Sequence, residues 1–142
     1  TWPIPVLFHA AGQHDNPALT RLLLEAGANP VDGEGIWHAS DEGHEGALAV
    51  FAKLVPKDVL ALEASRCLVT QLRFRKARGA PWLLAHGADP NYLEATTGDA
   101  AFHAATRANL GPKVIALLLE HGANPRLKNR DGRTAKELQF RK

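Results

Sequence analysis

Apolar residues along this chain fall in short blocks at helical intervals, and several blocks close in the same way. Leu19, Leu22 and Leu23 lie at i, i+3 and i+4, and Val114, Ile115, Leu117 and Leu118 share that spacing. Each block reads as a helix with one apolar face. Pro17 and Pro112 stand ahead of them, where the first turn of a helix loses no hydrogen bond to proline. The first block runs into Leu22-Leu23-Leu24-Glu25-Ala26-Gly27-Ala28-Asn29-Pro30. The string returns as Leu117-Leu118-Leu119-Glu120-His121-Gly122-Ala123-Asn124-Pro125, and a third copy reads Trp82-Leu83-Leu84-Ala85-His86-Gly87-Ala88-Asp89-Pro90-Asn91. The glycine sits where a left-handed residue stops a helix. The Asn-Pro or Asp-Pro behind it turns the chain out into extended structure.

A second pattern precedes the first. Phe8-His9-Ala10-Ala11 and Phe102-His103-Ala104-Ala105 are identical, and Trp37-His38-Ala39-Ser40 is close. His9 lies 18 residues before Gly27, and His103 lies 19 before Gly122. Each unit therefore reads helix, short turn, helix, glycine stop, extended excursion, and the small residues after the histidine let one helix lie close to the next.

This arrangement resembles the ankyrin repeat, whose period is ~33 residues. The resemblance rests on the three glycine-stop copies, the three histidine-containing helix starts, the Gly43-His44 pair, and Asp131-Gly132-Arg133-Thr134-Ala135; it covers roughly residues 4–54 and 80–138. It implies an all-α fold: a helix-turn-helix solenoid with short β-hairpin-like fingers, forming a single domain over 1–142. Its approximate units are 1–33, 34–56, 57–91 and 92–126, with an unfinished one at 127–142. It also implies a non-catalytic module that binds another protein through its finger tips and the concave face of its first helices. The family's Thr-Pro is absent; Val6-Leu7 and Ala100-Ala101 hold its places.

Residues 55–80 depart from the pattern. Lys53-Leu54-Val55-Pro56 stands where a glycine stop belongs, so the finger between the second and third units is expected to be missing. Asp58 to Leu72 reads as a helix. Pro81 is only six residues before Gly87, which shortens the second helix of the third unit. Thr134 to Lys142 supplies one last helix, whose Lys136, Glu137, Arg141 and Lys142 would form the polar cap that solenoids require.

Composition adds limits. A chain of 142 residues, 45% apolar and 23% charged, is one ordinary domain. The lone Cys67 excludes an internal disulfide and a multi-cysteine zinc site. With no apolar run near the ~18 residues of a membrane helix, a soluble, intracellular, cytoplasmic chain is expected. A sequence that starts at Thr1 and has no methionine is expected to be a processed or partial piece, from which a targeting segment could have been removed. The net charge of +2 hides an asymmetry. Residues 1–65 hold three basic and nine acidic residues, a net of −6; residues 66–142 hold fourteen and six, a net of +8.

Candidate chemistry is sparse. His9, His38 and His103 occupy equivalent positions, which a helical solenoid separates by ~10 Å. That is too far for a shared zinc, whose nitrogen ligands lie about 2.0–2.1 Å away. The resemblance implies that they are structural hydrogen-bonders, and neither a metal nor a cofactor is expected. No phosphate-binding loop, nucleophile elbow or His-Glu-x-x-His motif is present. Cys67 lies in an apolar run, the usual setting of an inert thiol.

Binding is the better-supported activity. Arg66, Arg73, Arg75, Lys76 and Arg78 form a cationic run with Phe74 interleaved and no acidic residue between Glu63 and Asp89. If that run is helical, Arg66 and Arg73 share a face and Arg75 and Arg78 are neighbours. It reads either as a solvated helix face or as an anion site; polyanion or nucleic-acid binding there is the alternative to protein binding. The C-terminal segment adds Arg126, Lys128, Arg130, Arg133, Lys136, Arg141 and Lys142. The fingers present Asp32 and Glu34 in the first, Tyr92 and Glu94 after Gly87, and Arg126, Lys128 and Arg130 in the last. Gln13, Asp41, Glu42 and Arg107 are placed toward the groove. The partner so implied is a protein with an acidic patch, docked on the C-terminal units; a monomer is expected, although head-to-tail pairing of the acidic start with the basic end is an alternative.

Overall fold

The computed structural model describes residues 5–139; Arg141 and Lys142 of the expected polar cap lie outside them. A first helical turn, Phe8–Gln13, is followed by α1 (Pro17–Glu25), α2 (Gly35–Glu42), α3 (Glu45–Leu54), α4 (Lys57–Arg73), α5 (Ala80–Ala85), α6 (Ala101–Arg107), α7 (Pro112–Glu120) and α8 (Ala135–Gln139). No strand occurs among the described residues, fingers included. The first turn, α2, α4, α6 and α8 pack each against the next in an inner row. On its outer side α1 packs on α3, α5 on α4 and α2, and α7 on α6. The result is an all-helical solenoid of four helix pairs and a closing half unit.

Local chemistry sets the helix limits. Pro17 and Pro112 open α1 and α7, and the Asn16 side chain accepts the Leu19 amide at 3.0 Å as the cap of α1. Gly27, Gly87 and Gly122 adopt φ of 97°, 98° and 91°. Behind each, an alanine N–H reaches back to a leucine carbonyl: Ala28 to Leu23, Ala88 to Leu83 and Ala123 to Leu118, at 2.9, 3.0 and 2.9 Å. That is the hydrogen bond closing a Schellman stop. The first turn is widened, its last bond running from His14 N–H to the His9 carbonyl five residues back.

The core is built from small residues between large ones. Ala10, Ala11, Ala39, Ala64, Ala101 and Ala105 are buried in the inner row, and Leu7, Ile36, Phe51, Leu68, Leu72 and Leu118 fill around them. Alanines at the contacts let helices approach closely. Polar stitches fix the register between units. The His44 ring meets the Ala11 carbonyl at 2.9 Å, Asp15 accepts the Ala47 amide at 2.8 Å, and the Trp37 indole N–H reaches Thr70 Oγ1 at 2.7 Å. The apolar face read from Leu19, Leu22 and Leu23 needs correction. Leu22 is 62% exposed, and Thr20 is the residue of α1 that is buried. Among the described residues α1 packs mainly on the first turn and α3, so this helix at the end of an outer row buries a narrower face than its leucine count implies.

The third unit is rebuilt around α4. Only Val55 and Pro56 separate α3 from α4, so no finger leaves the chain there. Instead α4 runs for 17 residues, about 25 Å at the helical rise, and covers the place of the finger. Glu63 accepts the Gly33 amide of the first finger at 3.2 Å, and Ser65 Oγ accepts the Asp89 amide at 2.8 Å. Ala61 packs so tightly on Gly87 that a Cβ there would lie 2.9 Å from the alanine methyl. α5 is correspondingly short, with six residues.

Candidate functional site in the C-terminal half

The two fingers on the C-terminal side, residues 86–100 and 121–134, are tied to each other. Asn91 Nδ2 donates to the Gly122 carbonyl at 3.0 Å, and Asn91 Oδ1 accepts the Asn124 amide at 2.8 Å. Arg130 donates its guanidinium to the carbonyls of Ala95 and Thr96 at 2.8 and 3.0 Å. Its own amide bonds to the Gly98 carbonyl at 3.0 Å. Gly98 has φ +74°, and a Cβ on it would sit 2.5 Å from Arg130 Cβ. Only glycine meets both demands.

Beneath the fingers lies a carboxylate hub. Asp99 is 4% exposed. Its Oδ1 accepts Asn129 Nδ2 at 2.9 Å, and its Oδ2 accepts Arg107 Nε at 2.6 Å. Asn129 Oδ1 in turn accepts the amides of Asp131 and Arg133, both at 3.0 Å. His103, also buried, receives the Ala100 amide on Nδ1 and bonds the Arg133 carbonyl through Nε2. The equivalent His9 and His38 bind only Gln13 and Glu34, one turn away. Position in the repeat is shared, but the cross-unit role belongs to His103, because only it is roofed by a following finger of full length.

Glu94 folds back on its own loop. Its oxygens accept the Thr96 amide at 3.0 Å, the Thr97 amide at 2.8 Å and the Thr97 hydroxyl at 2.9 Å. Slight burial opposes ionisation, but these bonds outweigh it and hold the carboxyl down at about 2, below its ordinary 4.5. A lowered pKa means that the loop is fully supported above pH 4.5 and loosens as pH falls toward 2. The Glu94 carboxyl carbon, followed by NMR, is expected to titrate with a midpoint near 2; a midpoint at 4 would contradict the loop geometry.

The cationic run does not form one helical face. α4 ends at Arg73, and Arg75 stands at φ +64° in the stop position that glycine usually takes. Arg75 N–H bonds to the Leu72 carbonyl and Lys76 N–H to the Gln71 carbonyl, completing the stop. The run is thereby dispersed. Arg66 lies 3.8 Å from Glu63, Lys76 pairs with Asp41 at 3.3 Å, and Arg78 lies beside Gly43. Arg73 and Arg75 turn the other way, into a crease of about 460 Å³ between α4 and α6 that Arg107 also lines. This convergence of Arg107 with half of the run crosses two units and is invisible in the linear sequence.

The remaining candidates separate by environment. Tyr92 is half-buried against the core, and Arg126 and Lys128 are exposed with no side-chain hydrogen bond among the described residues. Glu42 and Gln13 are exposed, whereas Asp41 is largely covered by its pairing. Asp32 Oδ1 accepts the Glu34 and Gly35 amides, both at 2.8 Å, capping α2, and Glu34 reaches the His38 ring at 2.9 Å. Cys67 is buried and its thiol is pushed up by burial. Asp99 escaped sequence reasoning. Its signal was the alignment of Gly98-Asp99-Ala100-Ala101 with Gly132-Arg133-Thr134-Ala135, where both glycines prove left-handed.

Comparison with known proteins bears on the same region. Residues 97–130, from Thr97 through α6 and α7 to Arg130, match the family described as Ankyrin repeat. The fold is similar to the crystal structure of the ankyrin repeat domain of Bcl-3, described as a unique member of the IkappaB protein family. The two agree with a TM-score of 0.71 and 25% identity over 90% of this chain. Residues 97–130 are thus matched as an ankyrin repeat, within a fold of the ankyrin-solenoid type. It spans 60% of the length of that Bcl-3 chain. Its ankyrin match falls on the unit whose finger, hub histidine and glycine stop are all intact, while the unit rebuilt on α4 lies outside it. No helix among the described residues is long and apolar enough to cross a membrane.

Proposed function

We propose that this chain is a non-catalytic module that binds another protein through its C-terminal fingers and the groove of its inner helices. The observation that carries this is the pair of fingers held rigid by Asn91 and Arg130, presenting Tyr92, Arg126 and Lys128 on a braced scaffold. Preorganised loops lose little entropy on binding. Tyrosine and arginine side chains are typical binding anchors. Glu34, Asp41 and Glu42 would contribute to an N-terminal rim, and Arg107 to the floor. Glu94 and Arg130 shape the finger, since their polar atoms are already engaged. A catalytic role has no support in the geometry: the buried Cys67 thiol is held protonated. Polyanion binding by the whole 66–78 run is disfavoured because its charges face in several directions, two of them toward carboxylates.

The test begins with a partner identified by affinity capture. The double variant Tyr92→Ala with Arg126→Ala is expected to weaken that partner's binding by at least about tenfold, with a melting temperature close to wild type. Undiminished affinity in calorimetry would remove the finger assignment.

A further inference from the structure

We infer that the crease between α4 and α6 is the anchor for a carboxylate-rich segment of the partner, with Arg73, Arg75 and Arg107 as its readers. The inference rests on the protein-binding function proposed above and specifies its ligand chemistry. Three guanidinium groups from two neighbouring units line one open cavity of about 460 Å³, over a floor that includes Val69, Ala104 and Ala108. One carboxylate, Asp99, shares the wall. It is buried and already holds Arg107 and Asn129, so it cannot neutralise the other two arginines. Arg75 donates one guanidinium nitrogen to the Ala108 carbonyl at the end of α6, which aims the group across the crease. Arg73 makes no ion pair among the described residues and only skims the Phe74 ring, its Cζ 5.5 Å from the centroid. Arginine carries five N–H donors. Arg75 and Arg107 make one hydrogen bond each within the protein and Arg73 makes none among the described residues, which leaves a surplus of donors facing the cavity.

Two further features favour an acidic peptide over a nucleic-acid strand. Arg107 also lines a second cavity, of about 500 Å³, together with Arg133 and Asp131. Guanidiniums thus follow the inner row as spaced forks, suited to planar carboxylates on successive side chains. Toward the N-terminal units the row turns acidic, with Asp41 already paired and Glu42 exposed. A long uniform phosphate backbone would be repelled there. Arg75 supplies a separate argument. An arginine in the left-handed stop position is strained where glycine would be relaxed, and the residue placed there is one that lines the crease.

The experiment uses a short fluorescein-labelled peptide of alternating glutamate and serine, followed by anisotropy at low salt. Arg73→Ala is expected to weaken binding by about tenfold, the effect of losing one charge-assisted pair. Arg75→Gly is expected to do the same while keeping the fold, because glycine takes the left-handed backbone without cost. Lys113→Ala, which removes an equal charge from the exposed start of α7, is expected to change affinity by no more than about twofold. The inference is overturned by no measurable binding of the peptide, by equal losses in all three variants, or by Arg73-dependent binding of a single-stranded oligonucleotide that is tighter than that of the peptide. Any of these leaves the finger assignment standing, since that is read from the captured partner and the Tyr92–Arg126 variant.

Discussion

Replacing His103 by alanine is expected to destabilise the C-terminal half by about 3–5 kcal/mol. The ring is 1% exposed. Its partners dictate its tautomer: the Ala100 amide donates to Nδ1, and the Arg133 carbonyl requires a proton on Nε2. Truncation empties a ring-sized space between α6 and the last finger. It also strands the buried amide at the start of α6 and releases residues 129–134 from that helix. At roughly 2–4 °C per kcal/mol for a chain of this size, the melting temperature is expected to fall by about 10 °C. Hydrogen exchange is expected to quicken first in α8 and the last finger. A fall of under ~2 °C would show that the imidazole bridges nothing of consequence.

Phe51→Ala is expected to cost about the same, about 3–5 kcal/mol, but in the other half. The ring is fully buried in α3, and its tip lies 3.4 Å from where a Cβ on Gly35 would stand. Nothing polar is orphaned, so the whole cost is lost apolar contact and cavity. The informative readout is where the damage spreads. In a solenoid each unit is stabilised mainly by its neighbours. α4 bonds both the first finger, through Glu63, and the later turn, through Ser65. Loss of protection is therefore expected in α1 to α3, with the amides of α6 and α7 much less affected. Equal loss across all helices would mean that the chain unfolds as a single cooperative unit and that α4 does not divide it.

The contrast between these substitutions follows how the chain could be read. The glycine stops at Gly27, Gly87 and Gly122 were legible because stopping a helix is a local act, performed by one residue and the turn before it. The missing second finger was legible for the same reason: Val55-Pro56 offers no glycine, and Pro56 can start a helix. That α4 would then take over the finger's contacts was not legible, because it depends on Ala61 meeting Gly87 and Glu63 meeting Gly33 across the fold. The candidate charges show the same limit. Arg130 and Glu94 stand in finger loops as expected, but their polar atoms are turned inward to build those loops.

By itself the sequence determined the period, the helix pairs, the rebuilt third unit and the opposition of a −6 half to a +8 half. Each rests on near-neighbour chemistry: proline at a helix start, glycine at its stop, apolar spacing between, and charge counted along the chain. Only the tertiary structure decided which of those charges remain available. Lys76 is taken by Asp41, Arg66 lies against Glu63, Arg107 is bonded to Asp99, and Arg73 and Arg75 are left facing the crease that Arg107 also lines. A charge is neutralised by whatever lies within a few ångströms of it, and for Lys76 that neighbour, Asp41, belongs to another unit of the stack, 35 residues away.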